Sequence, residues 1–387
     1  MFKKIFGFLA VFIMMSCLMT VTVSADEKMT TAVFGDSIPA GYGLDGYDPS
    51  DTSAAADCFA NLWAKQNGLE YGKSFQNFSK MGLPSRKINN VIKSADKSFL
   101  KNAKVVIISA GGNDVIDTYG EVMFDVMKDE QELLEKYDIR PDMSDLDSIQ
   151  KEILSTVMNP LKYKVLEKMA EKCTDEKYIS IYDNIPKEFE KNIRESVGYI
   201  HDISPDAEII LLMPYDPLKT LTVENKLINS VDNTISEINR LGKEMEKDKS
   251  FDGKLHCISL LSEFEGKYLQ LANVLKMDIH PSAEGHKYIL GLIERSLSRE
   301  TDVSKEEKTS VSETAASVSE QKNSPEKASD ESLQSDISQG QRMYLHPAFT
   351  VILFCAAVLC VVLIAASFAA KHSKKNKKNG FNKKTRK

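Results

Sequence analysis

Cysteine is scarce in this chain. Of six cysteines in 387 residues, Cys17 lies in an apolar run near the start and Cys355 and Cys360 in one near the end. That leaves Cys58, Cys173 and Cys257 in the body, an odd number with no CxxC spacing. A disulfide-built scaffold is excluded; one disulfide with a leftover thiol, or three buried thiols, stand as the alternatives. There is no HExxH, no clustered Cys/His set and no phosphate-binding glycine loop, so the sequence calls for no metal and no cofactor. Internal repeats are absent. Basic residues are not in excess either: 50 Lys and Arg against 56 Asp and Glu give a net charge of -6 and a pI near 5.7. That balance argues against a nucleic-acid partner.

The apolar and charged residues are unevenly placed. Lys3 and Lys4 precede an almost wholly apolar run from Ile5 to Val23, and Val23-Ser24-Ala25 offers a small-residue cleavage site. Residues 1–25 read as an export signal, with a lipoprotein signal ending at Cys17 as the weaker alternative. At the other end, residues 347–370 hold an uncharged apolar run of the roughly 20 residues a bilayer-crossing helix needs. Nine Lys or Arg and no acid follow from Lys371 to Lys387. Positive charge stays inside, so the expectation is a single-pass protein with its body outside the cell membrane and residues 371–387 as a cytoplasmic tail. Residues 301–346, rich in Ser, Glu, Lys and Ala, cannot bury enough apolar surface to form a core and read as a disordered stalk.

The body, residues 26–300, alternates apolar β-rich runs with helical patterns. The runs are Thr30 to Phe34, Ser74 to Phe78, Lys104 to Ser109, Glu208 to Met213 and Leu255 to Leu260. Such alternation predicts an α/β domain, a parallel sheet with helices on both faces. Residues 115–205 form a long insertion with helical periodicity, clearest at Gln131 to Lys136 and Ile149 to Lys172. It has two readings: extra helices packed on the sheet, or a cap over the active site.

Four short blocks carry the chemistry. Gly35-Asp36-Ser37 follows the first apolar strand and puts a serine where a helix begins. Asn77 to Gly82 follows the second, and Gly82 can bring its amide close to a substrate. Val105 to Asp114, VVIISAGGND, runs a buried strand into Asn113, whose amide can donate to an oxyanion; Asp114 reads as a cap for the helix that follows. The fourth is Asp278-Ile279-His280-Pro281. Histidine titrates near neutrality and can take and return a serine proton. Asp278, two residues earlier in an extended stretch, can hold its Nδ1–H. His286, six residues on, is expected to pack or cap.

In this order the blocks resemble the SGNH or GDSL family of serine esterases and lipases, over about residues 29 to 297. The match is GDSI rather than GDSL, with Ile38 in the leucine position, and the insertion after Asn113 exceeds that of compact members. The resemblance implies a three-layer flavodoxin-like sheet of order 2-1-3-4-5, a catalytic triad of Ser37, Asp278 and His280, and an oxyanion hole of Ser37, Gly82 and Asn113. It implies hydrolysis of an acyl ester, on a lipid or an acylated glycan. Acyl transfer by the same residues and an inactive surface binding protein are the competing functions.

Overall fold

The computed structural model describes residues 29–138, 165, 168–220, 226–276 and 278–310. The export signal, most of the stalk, the apolar run 347–370 and the basic tail lie outside the described residues. Among the described residues no helix is long and apolar enough to cross a membrane.

Five strands form one parallel sheet: β1 (Thr31–Gly35), β2 (Phe75–Asn77), β3 (Val105–Ser109), β4 (Glu208–Met213) and β5 (Leu255–Ser259). Their order is β2-β1-β3-β4-β5, as the resemblance implied. The registers align Gly35 with Ser109 and Ser109 with Leu212, so the carboxyl ends of β1, β3 and β4 finish level. The strands read as continuous apolar runs because both faces are covered, and β1 and β3 are buried at every position.

The helices in chain order are α1 (Ser37–Ala40), α2 (Phe59–Gln66), α3 (Ser85–Ser94), α4 (Lys97–Lys101), α5 (Gly112–Asp129), α6 (Gln131–Lys136), α7 (Glu176–Tyr182), α8 (Ile185–Ile203), α9 (Lys226–Met245), α10 (Leu260–Glu263), α11 (Tyr268–Leu271) and α12 (Ala283–Ser310). Side chains alternate across each strand, so the sheet separates two cores. Ala32, Phe34, Val106 and Ile108 face Ile88 of α3, Phe189 and Ile193 of α8 and Ile238 of α9. Val33, Ile107, Ile210 and Leu212 face Phe59 and Trp63 of α2 and Ile289 and Ile293 of α12. Cys58, Cys173 and Cys257 are three free, buried thiols, and burial pushes each up to about 12.

Three expectations need adjustment. The insertion is not of one kind: α8 packs on the sheet as an ordinary crossover helix, whereas α5 lines a cleft at the carboxyl edge. Much of Ile149 to Lys172 lies outside the described residues. Asp114 caps more than its own helix, where its carboxylate accepts from the backbone amide of the N-cap Gly111. It also accepts from the Ser85 amide (2.9 Å) and hydroxyl (2.5 Å), capping α3 from across the sheet edge. Residues 301–310, which the composition assigns to the stalk, continue α12 to Ser310.

The start of α12 presses against the segment after α11. A Cβ on Gly285 would lie 2.0 Å from the carbonyl oxygen of Leu271, a backbone atom that a side-chain shift cannot clear. The same carbonyl accepts from the Ser282 amide, two residues past His280. Gly285→Ala is expected to cost about 2 kcal/mol of stability; urea denaturation of the variant against the parent chain measures it.

Candidate active site

Ser37 is positioned by the end of β1. Gly35 has φ +155°, and a Cβ there would lie 2.8 Å from the Ser109 carbonyl, so the strand end is drawn against β3 in a way a side chain would block. Asp36 then caps α1: its Oδ1 accepts from the Ile38 amide (3.0 Å) and the Ser109 hydroxyl (3.2 Å). Asp36 is buried, and desolvation raises its carboxyl to about 6. The result is a one-turn helix opening on Ser37 at the junction of β1 and β3, the crevice where the strand order reverses.

His280 reaches that junction from 243 positions away, with Nε2 2.9 Å from Ser37 Oγ. Its Nδ1 lies 2.5 Å from Asp278 Oδ1, which also accepts from the His280 amide at 3.1 Å. An ionised carboxylate only accepts, so Nδ1 carries the proton and Nε2 accepts from the serine hydroxyl. Burial alone would push Asp278 up, but the hydrogen bonds and charge of His280 outweigh it and hold the carboxyl below its ordinary value. Ser37 and His280 are both almost fully buried.

Residues the sequence reading passed over hold this arrangement. The Tyr42 ring packs on the His280 ring, centroids 4.5 Å apart. Asn273 ties the His280 loop together: its amide N–H donates to His280 O (2.9 Å), its own carbonyl accepts from the Asp278 amide (3.3 Å), and its side chain donates to Gly43 O and Pro281 O. Gly43 leaves room for the acid, since a Cβ there would lie 2.6 Å from Asp278 Oδ2. Tyr42 and Gly43 stand in the GDSIPAGYG stretch beside Ser37, so a signal for them was present. Nothing in the sequence marks Asn273.

The predicted oxyanion residues divide. Asn113 is buried at the start of α5 and lines the same cavity as Ser37 and His280. Gly82 is buried, with φ +73°, in the loop after β2, and is not among the residues lining that cavity. The loop is tied to β1 through Phe78 N to Val33 O and Lys80 N to Gly35 O. His286 packs and caps: its Nδ1 accepts from Phe59 N at the start of α2, and its ring stacks on Phe59. Among the described residues no His, Cys, Asp and Glu side chains cluster as metal ligands.

Residues 32–293, more than half of the chain, match the GDSL-like Lipase/Acylhydrolase family. The chain belongs to that family. It is a carboxylic ester hydrolase. Solved structures similar to this GDSL hydrolase include an extracellular lipase from Streptomyces rimosus, 17% identical over 69% of this chain and 99% of that one, with a TM-score of 0.43. A phospholipase A1 from Streptomyces albidoflavus is 15% identical over 70% of this chain and 99% of that one, at 0.45. An acetyl xylan esterase is 13% identical over 69% and 98%, at 0.37. No curated protein sequence matches the chain.

Two outcomes are expected of this GDSL hydrolase. Gly43→Ala pushes Asp278 off His280, and kcat for a short acyl ester should fall by about 10- to 100-fold with KM little changed; steady-state kinetics decide it. The second concerns His286, which burial lowers to about 3 from an ordinary 6.5. The unfolded chain binds that proton first, so the contribution to stability is present above about 6.5 and is lost as pH falls toward 3. Urea denaturation between pH 5 and 7 should show a slope shallower in His286→Asn than in the parent chain, by up to about 1.4 kcal/mol per pH unit.

Proposed function

We propose that the protein hydrolyses acyl esters through an acyl-enzyme formed on Ser37, as an enzyme held on the outer face of a cell membrane. The reading is carried by one observation, the continuous chain from Ser37 Oγ through the His280 ring to Asp278, at 2.9 and 2.5 Å. His280 Nε2 takes the Ser37 proton as Oγ bonds to the ester carbonyl carbon, and the carbonyl π pair moves to oxygen. The developing oxyanion is met by the Asn113 side chain and the Ser37 amide, with the Gly82 amide assigned from the family resemblance. As the oxyanion re-forms the carbonyl, the C–O bond to the alcohol breaks, and His280 returns its proton to the leaving oxygen. Water repeats the cycle: His280 takes a water proton, hydroxide adds to the acyl carbon, and Ser37 leaves with the proton restored. Asp278 stays ionised and stabilises the imidazolium formed in each half.

The outer-face location rests on the sequence of the two ends, the export signal 1–25, the apolar run 347–370 and the basic residues from Lys371. A surface-anchored hydrolase of this kind meets lipids and O-acylated envelope glycans, the two substrate classes the reading admits.

Ser37→Ala is expected to lower kcat for p-nitrophenyl butyrate by at least about 10³-fold and to remove labelling by a fluorophosphonate, with the circular dichroism spectrum unchanged. Labelling or turnover that survives in the purified variant refutes the role of Ser37.

A further inference from the structure

The cavity that opens on Ser37, Asn113 and His280 extends past them between two helices. Asp36, Ser37, Ser109, Asp216 and His280 line it from the carboxyl ends of strands and from the His280 loop, and Asn113 from the start of α5. Beyond them the walls are two helices. Ile116, Tyr119 and Met123 line it from α5, and Leu227, Val231 and Ile235 from α9. Along each helix consecutive members of these sets are three or four residues apart, so each helix turns one face inward.

The cleft has a direction. α5 starts at the serine with Asn113 and ends its share of the lining at Met123, ten residues and about 15 Å further on. α9 runs the opposite way: Asn239 bonds to Pro214 O (3.0 Å) at the end of β4, and Leu227 stands twelve residues, about 18 Å, away from that point. The gap between the helices is held by Tyr119. Its hydroxyl lies 2.7 Å from Ser230 Oγ and 3.0 Å from Thr234 Oγ1 on α9, and its ring stacks on Tyr182 at 4.0 Å. The phenol is thus partnered by the opposite wall, and the slot keeps its apolar character.

We propose that this slot seats the acyl chain of the substrate. The enzyme is then selective for acyl chains of medium length, with Met123 and Leu227 at the far end limiting them to roughly ten to twelve carbons. The inference rests on Ser37 being the nucleophile and deepens that reading by choosing between its two substrate classes: lipid acyl esters over acetylated glycans. An acetyl group leaves the slot filled with water. Each methylene of a longer chain leaves water for an apolar wall, which strengthens binding by up to about fourfold.

The test is a p-nitrophenyl ester series from acetate to hexadecanoate on the full chain, each ester below its micelle concentration. The expected kcat/KM rises at least about 30-fold from acetate to decanoate and falls at hexadecanoate. In Met123→Trp, the ratio of kcat/KM on decanoate to that on butyrate should drop by about tenfold or more. Val231→Trp, in the middle of the slot at a half-buried position, reads the same ratio if Met123→Trp does not fold. A series that peaks at acetate or is flat with length, or a ratio unmoved in the folded variants, overturns the slot while leaving Ser37 in its role. No hydrolysis at any length, with no fluorophosphonate label on Ser37, sinks both readings together.

Discussion

The hydrogen-bond chain from Asp278 through His280 to Ser37 is the constraint on which the site depends. It joins a helix start behind β1 to a loop before α12, 243 positions apart along the chain. Both partners are buried, so a misplaced imidazole would leave polar groups without water or each other. Much of the local backbone answers to that requirement. Asp36 fixes the turn that presents Ser37, Asn273 stitches the His280 loop, and Gly43 leaves the space Asp278 occupies. The parallel sheet supplies the place, because β1 and β3 are neighbours whose following segments depart to opposite faces.

The long connection between β3 and β4 gives the site its depth. A short crossover would carry only a helix like α8, packed on the sheet through Phe189, Ile193, Val197 and Ile200. Here α5 comes first, starting at the catalytic edge, and α9 returns along it after β4. Tyr119 links the two helices by hydrogen bonds that bury its hydroxyl at little cost. The Ser37–His280 pair is therefore set at the strand ends, while the proposed selection among esters falls to α5, in the long connection, and to α9, the crossover from β4 to β5. Loops and inserts vary around a fixed scaffold for this reason: they alter what is bound without disturbing the groups that react.

The strands were legible because a sheet covered on both faces needs unbroken apolar runs, and all five such runs became strands. Ser37, Asn113, Asp278 and His280 were legible because each sits in a short block beside a strand end or an extended turn. Tyr42 and Gly43 were written next to Ser37 but carried no mark of their purpose, which depends on Asp278 and His280 arriving from elsewhere. Asp114 was read only in part for the same kind of reason: beyond its own helix start it also holds Ser85, which local spacing cannot reveal. Gly82 was found by resemblance, and its loop is tied to β1 without joining the lining of the cavity.

By itself the sequence determined the class of fold, the reactive residue types and the polarity of the two chain ends, since apolar run length, charge and turn chemistry are local properties. Only the tertiary structure decided that His280 bridges Ser37 and Asp278, that Asn273 and Gly43 shape the site, and that α5 and α9 enclose an apolar slot. These are matters of distance between segments remote in sequence. Hydrogen bonds and burial act over a few ångströms of space, and chain order does not encode that separation until the sheet brings the segments together.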